Sequence, residues 1–217
     1  MARILAVLIG CSALYGFAMG AVHSLDFALR NLVKFPALIL LTSAVCAVAY
    51  YLFTLLISRN LSFVEVQRFS LRTFRDISLL LASLAPVGLF LARTLRQPDA
   101  EGLHDYPFFL GLNVFFIALC GSAALVRRGQ RLLQRHRLDR KSTLLILAAW
   151  LGLSLFVGAQ AAWYLRPFAG VSTIPAEVTP FFLGTRPDIR GDTNFYQAVY
   201  HLLQPPPLAA DYHMYRW

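Results

Sequence analysis

Acidic residues are scarce in this chain, 11 in 217, and none lies within its long apolar stretches; lysine and arginine are missing from those stretches too. That absence excludes the proton relays and charged ion paths of membrane pumps, because an ionisable group in hydrocarbon is costly and marks function where it occurs. Cysteine is sparse as well. Cys11, Cys46 and Cys120 stand singly in apolar surroundings, with no CxxC pair and no nearby histidine, so they read as small packing residues. Lysine numbers 2 against 18 arginines, a bias that points to a bacterial chain from a GC-rich genome. No glycine-rich phosphate loop, HExxH helix or GxSxG elbow occurs, which removes the familiar soluble types of phosphate, zinc and serine chemistry. His104, His201 and His213 have no ligand spacing, so no metal or other cofactor is expected.

What the chain has is apolar surface. Hydrophobic residues make up 58% and charged ones 14%, against an ordinary apolar share of about 45 to 50%. The excess is gathered into runs free of charge over 4–22, 35–58, 77–92, 106–126 and 142–165. Each is near the roughly 20 residues that cross about 30 Å of hydrocarbon. The expected fold class is therefore all-α: a polytopic bundle of about five transmembrane helices over 1–166, then an extracytoplasmic, proline-rich tail over 167–217. The third run is the shortest and contains Pro86; its helix is expected to begin as early as Phe69.

Cations between the runs set the orientation. Arg3, Arg59, Arg68, Arg72, Arg75, Arg127, Arg128, Arg131, Arg135, Arg137, Arg140 and Lys141, 12 of the 20, fall on one side, which the positive-inside rule makes the cytoplasm. Arg30, Lys34, Arg93 and Arg96 fall on the other, with Asp26, Asp99, Glu101 and Asp105. The N-terminus is then inside and the tail outside, in a bacterial inner membrane. The net charge of +9 lies in short blocks rather than on one face, so nucleic acid is not an expected partner. The block 127–141 is read as a topology signal lying among anionic headgroups, at about 1 kcal/mol per cation. Leu8-Ile9-Gly10-Cys11 imitates a lipoprotein signal, but the apolar run continues to Ala21, and we read an uncleaved first helix. In 24–34, Ser24 serves as N-cap, and Leu25, Leu29, Leu32 and Val33 form a stripe that should lie along the outer interface.

The most distinctive stretch closes the last helix. Gln160, Trp163 and Pro167 share one face, while Gly158, Ala159, Ala161 and Ala162 let another helix approach closely. Trp163 and Tyr164 fit an aromatic belt, and Arg166 can snorkel to the headgroups before Pro167 and Phe168. Two readings stand: a packing face, or a ligand or partner site around Gln160, Trp163 and Arg166. Beyond it lie seven of the eleven prolines, between 167 and 207. One short amphipathic helix is expected at 194–203, capped by Asp192-Thr193, beginning Asn194-Phe195-Tyr196 and stopped by Pro205. So short a helix must lean on the membrane, its own bundle or a partner.

Two resemblances follow from these residues. Five spans, the run Pro36 to Tyr51 and the stretch Leu80 to Pro86 resemble the Yip-domain superfamily of small polytopic membrane proteins, without its DLYGP-type motif. The pattern Gly158-Ala159-Gln160, Trp163, Arg166-Pro167-Phe168 and Asn194-Phe195-Tyr196 is similar to a family of uncharacterised bacterial polytopic membrane proteins. Neither implies catalytic residues. The leading expectation is a non-enzymatic integral membrane component, a subunit, assembly factor or scaffold, whose partners are the lipid bilayer and a membrane protein or a second copy of itself. A small channel or transporter with Asn113, Gln160 and the Pro86 kink along its path is the alternative, and a membrane-embedded enzyme the third.

Overall fold

A computed structural model describes residues 1–21, 24–58, 61–94, 105–165 and 194–197. The long elements are α1 (Ala2–Gly20), α2 (Leu25–Ile57), α3 (Phe63–Thr94), α4 (Asp105–Arg135) and α5 (Arg140–Leu165), and no strand occurs among the described residues. Four of them, α1, α2, α3 and α5, are long and apolar enough to cross a membrane. The fold is thus all-α, with the helices of an integral membrane protein.

The helices pack as a closed ring, α1 on α2, α2 on α5, α5 on α4, α4 on α3 and α3 on α1, braced by a contact between α2 and α3. The tightest seam is between α1 and α2. Gly16 and Gly20 lie four residues apart on one face of α1, the small-xxx-small spacing that brings membrane helices close. A Cβ on Gly16 would lie 2.5 Å from the Asn31 carbonyl oxygen, and one on Gly20 would lie 2.5 Å from that of Phe27. Both neighbours are backbone, so only glycine permits this approach.

That seam corrects the reading of 24–34 as an interfacial helix. Ser24 does cap it, accepting from the Phe27 amide at 3.3 Å. The helix it opens then runs unbroken through Pro36 to Ile57, 33 residues or about 50 Å. Leu25, Leu29 and Val33 are more than half exposed, while Phe27, Ala28, Asn31, Lys34 and Phe35 are buried. In a lipid-facing bundle the large aliphatic stripe belongs outside, and the small and polar stripe meets the neighbouring backbone.

The other helices also outrun their apolar runs. α3 begins at Phe63, six residues before Phe69, because Ser62 and Glu65 form a reciprocal capping box: the Ser62 amide donates to Glu65 Oε2 at 2.9 Å, and the Glu65 amide to Ser62 Oγ at 3.3 Å. α4 continues to Arg135 and closes in a Schellman turn, with Leu138 N–H donating to the Leu133 carbonyl, Arg137 N–H to the Gln134 carbonyl, and Arg137 at φ 53°. α5 follows at once, its first amides donating to the Asp139 carboxylate from Lys141 and Ser142, each at 3.1 Å. Those bonds, the Ser142 ones foremost, hold the Asp139 carboxyl below the usual carboxylate range.

Candidate functional site

The residues singled out by sequence fall in three places. Asn113 is buried in α4 and its Oδ1 accepts from the Tyr15 hydroxyl of α1 at 2.6 Å, a tie across the ring. Gly158 faces α2, where a Cβ would make ordinary contact with the Thr42 methyl at 3.8 Å. Ala161 is buried, and Gln160 and Trp163 are half-buried. Asn194, Phe195 and Tyr196 do come back to α5: the Tyr196 ring stacks on Phe156 at 5.4 Å and its hydroxyl donates to the Phe156 carbonyl at 3.4 Å. Within that turn Asn194 Oδ1 accepts from the Gln197 amide at 2.9 Å; Asp192-Thr193 lie outside the described residues. Arg166, Pro167, Phe168 and 198–203 lie outside the described residues.

A different site stands at the arginine-rich end, between the extensions of α3 and α4. On α3, Glu65, Arg68, Phe69 and Arg72 recur at helical spacing; on α4, Arg128, Arg131, Leu132 and Arg135 do the same. Together these eight residues line one open cleft of about 280 Å³. The two helices run antiparallel, and their register is fixed at both ends by carboxylates. Asp76 Oδ2 accepts from Arg128 Nε at 2.9 Å and from a second guanidinium nitrogen of the same side chain, while Asp76 Oδ1 accepts from Arg75 at 2.7 and 3.0 Å. Eleven residues away, Glu65 Oε1 lies 3.5 Å from His136 Nε2.

No family model, curated protein or solved structure matches this chain. The cleft is therefore read on its own chemistry.

Both local carboxylates are engaged, Glu65 in the capping box and Asp76 between two arginines. Among the described residues Arg72, Arg131 and Arg135 make no ion pair or hydrogen bond, and Arg68 shares only the field of Glu65. Guanidinium groups present donors in a rigid fork matched to carboxylate and phosphate, so four of them on two facing helices offer the donors that an anion would need. The floor is apolar and anchored. Phe69 packs at a tilt against Trp150 of α5, ring centroids 4.6 Å apart, and Trp150 is fully buried, donating to Thr54 Oγ1 at 3.1 Å. Gly129 lets α4 approach this ring pair, since a Cβ there would meet the Leu147 methyl at 2.5 Å.

Sequence reading counted these arginines for orientation and missed the site. The signal was present in their spacing: 65, 68, 69, 72 and 76 on one helix, and 128, 131, 132 and 135 on the other, each follow a single face.

Proposed function

We propose that this chain is a non-enzymatic multi-pass component of the bacterial inner membrane, with five spans, N-terminus inside, that holds a phosphate-bearing anion in the cleft between α3 and α4. The observation that carries it is the cleft itself, where Arg68, Arg72, Arg131 and Arg135 converge with no carboxylate available to neutralise Arg72, Arg131 or Arg135 among the described residues. The cleft begins where the apolar runs of α3 and α4 end, at the level of cytoplasmic headgroups if the cation-rich side is inside. Polar groups within the spans support a structural role over a conducting path, because they bond one another: Tyr15 to Asn113, Ser43 to Ser70 and Tyr50 to Ser154. The returning Asn194–Tyr196 turn adds a face at the opposite end for a membrane-protein partner or a second copy.

The test is titration calorimetry of the full chain in zwitterionic nanodiscs with inorganic phosphate at low salt. Saturable binding that weakens in the Arg72→Gln/Arg131→Gln variant is expected. Absence of binding in the unmodified protein refutes the reading. For the topology, a cysteine placed at Gln134 should resist labelling from outside intact cells; ready labelling reverses the orientation.

A further inference from the structure

Resting on the reading of the cleft as an anion receptor, we infer that its ligand carries two phosphate groups on one molecule, one held by each of two tiers of arginines. The tiers follow from the register. Contacts between Asp76 and Arg128 at one end and between Glu65 and His136 at the other fix the antiparallel pairing of α3 and α4. Between those clasps the pairing sets Arg72 level with Arg131 and Arg68 level with Arg135, and all four line the same cleft. Each tier takes one arginine from each helix, and the two tiers are four residues apart, about 6 Å along the axis.

The charge and geometry of a single phosphate do not fill this arrangement. A phosphate monoester carries about −1.5 to −2 at neutral pH, roughly half of what four guanidinium groups present. Nor does one phosphate reach both levels, which lie about 6 Å apart along the axis. Two phosphates match both the number of tiers and the charge. The tiers also place like charges at i and i+4 on each helix, Arg68 with Arg72 and Arg131 with Arg135, an arrangement that destabilises a helix and that an anion lying between them relieves. Phe69 and Leu132 line the same cleft and give it an apolar surface against which the group linking the phosphates can rest.

The ligand class is thus a diphosphate or bisphosphate, either soluble or carried on a lipid. The full chain in zwitterionic nanodiscs is titrated with inorganic pyrophosphate and, separately, with inorganic phosphate. Pyrophosphate should bind at least about tenfold more tightly, the gain expected from a second bidentate, charge-assisted contact. Removing one tier, Arg72→Gln with Arg131→Gln, should bring pyrophosphate down to the affinity of phosphate. Arg72→Lys with Arg131→Lys keeps the charge, and with it the fold, but loses the forks, and should fall between. Arg127→Gln and Arg140→Gln, outside the cleft, should bind as the unmodified protein does. Equal affinity for pyrophosphate and phosphate overturns the two-tier inference while leaving an anion receptor standing; no binding of either removes both. Nanodiscs containing a diphosphatidyl lipid locate the source: competition with pyrophosphate assigns the ligand to the membrane, and undiminished pyrophosphate binding assigns it to solution, each upholding two phosphates.

Discussion

Asp76→Asn should lower the stability of the protein and raise its affinity for phosphate at the same time. In the native protein the carboxylate receives two hydrogen bonds from Arg75, at 2.7 and 3.0 Å, and two from Arg128. Side-chain exposures of 28% for Asp76, 27% for Arg128 and 30% for Arg75 place this group between surface and interior. Hydrogen bonds to charged groups contribute about 1.5–3 kcal/mol when buried, and exposed pairs about 0–1, so the three-residue cluster is worth about 2 kcal/mol. For a chain of this size that is a Tm lower by about 4–8 °C, readable by thermal unfolding in mild detergent. The binding effect has the opposite sign. Arg72 lies one turn from Asp76, about 6 Å along the helix, where a unit charge acts on an anion with about 0.7 kcal/mol in water and 2.8 at an effective dielectric of 20. Salt screening favours the lower part of that range, so removing the carboxylate should tighten phosphate binding by about 1 kcal/mol, roughly fivefold. Asn keeps the shape of Asp, and Arg128, which already lines the cleft, is released from the carboxylate. If Asp76→Asn weakens phosphate binding in proportion to its loss of stability, the carboxylate organises the receptor rather than opposing its ligand, and the electrostatic account is wrong.

Gly20→Ala should destabilise by about 1–3 kcal/mol through overpacking, since its Cβ meets the backbone of Phe27 and Ala28 at 2.5–2.6 Å, whereas Gly10→Ala, with nothing within 4 Å, should stabilise by about 0.5–1 kcal/mol; equal unfolding of the two variants would refute the seam. Tyr15→Phe removes the tie to Asn113 and should cost about 0.6 kcal/mol, the average for such membrane hydrogen bonds, read by thermal unfolding in mild detergent. Arg137→Gly should stabilise by about 1 kcal/mol, because the residue holds φ 53° at the end of α4. Asp139→Ala should lower the Tm at pH 7 by removing the cap of α5. The folded carboxyl titrates below its ordinary value of 3.8, so this contribution is complete above that value and is lost as the pH falls through the folded one; the two proteins should converge in acid.

The helices were legible in the sequence because each contains a long uncharged run, and that criterion places α1 and α5 to within two residues at either end. It failed wherever a helix left the hydrocarbon. α2, α3 and α4 each continue through charged flanks, and a charge-free window stops at the first charged residue although the 3.6-residue pattern does not. The same habit hid the receptor: cations were summed by side, which preserves their number and discards the face they occupy. Gly16 and Gly20 were passed over because glycine in an apolar run carries no hydropathy signal; only its distance to the neighbouring backbone shows its role. At α5 the pattern was read in more of its physical detail, and Asn194–Tyr196 returning to Phe156 is the part of that reading that the described residues carry.

The double clasp of α3 and α4 also governs which length changes the gene can accept. A single residue inserted between Glu65 and Asp76, or between Arg128 and His136, turns everything beyond it by about 100° about the helix axis and swings one row of arginines out of the cleft. Variants recovered from random indel libraries should therefore be nearly absent from the two arginine-bearing segments.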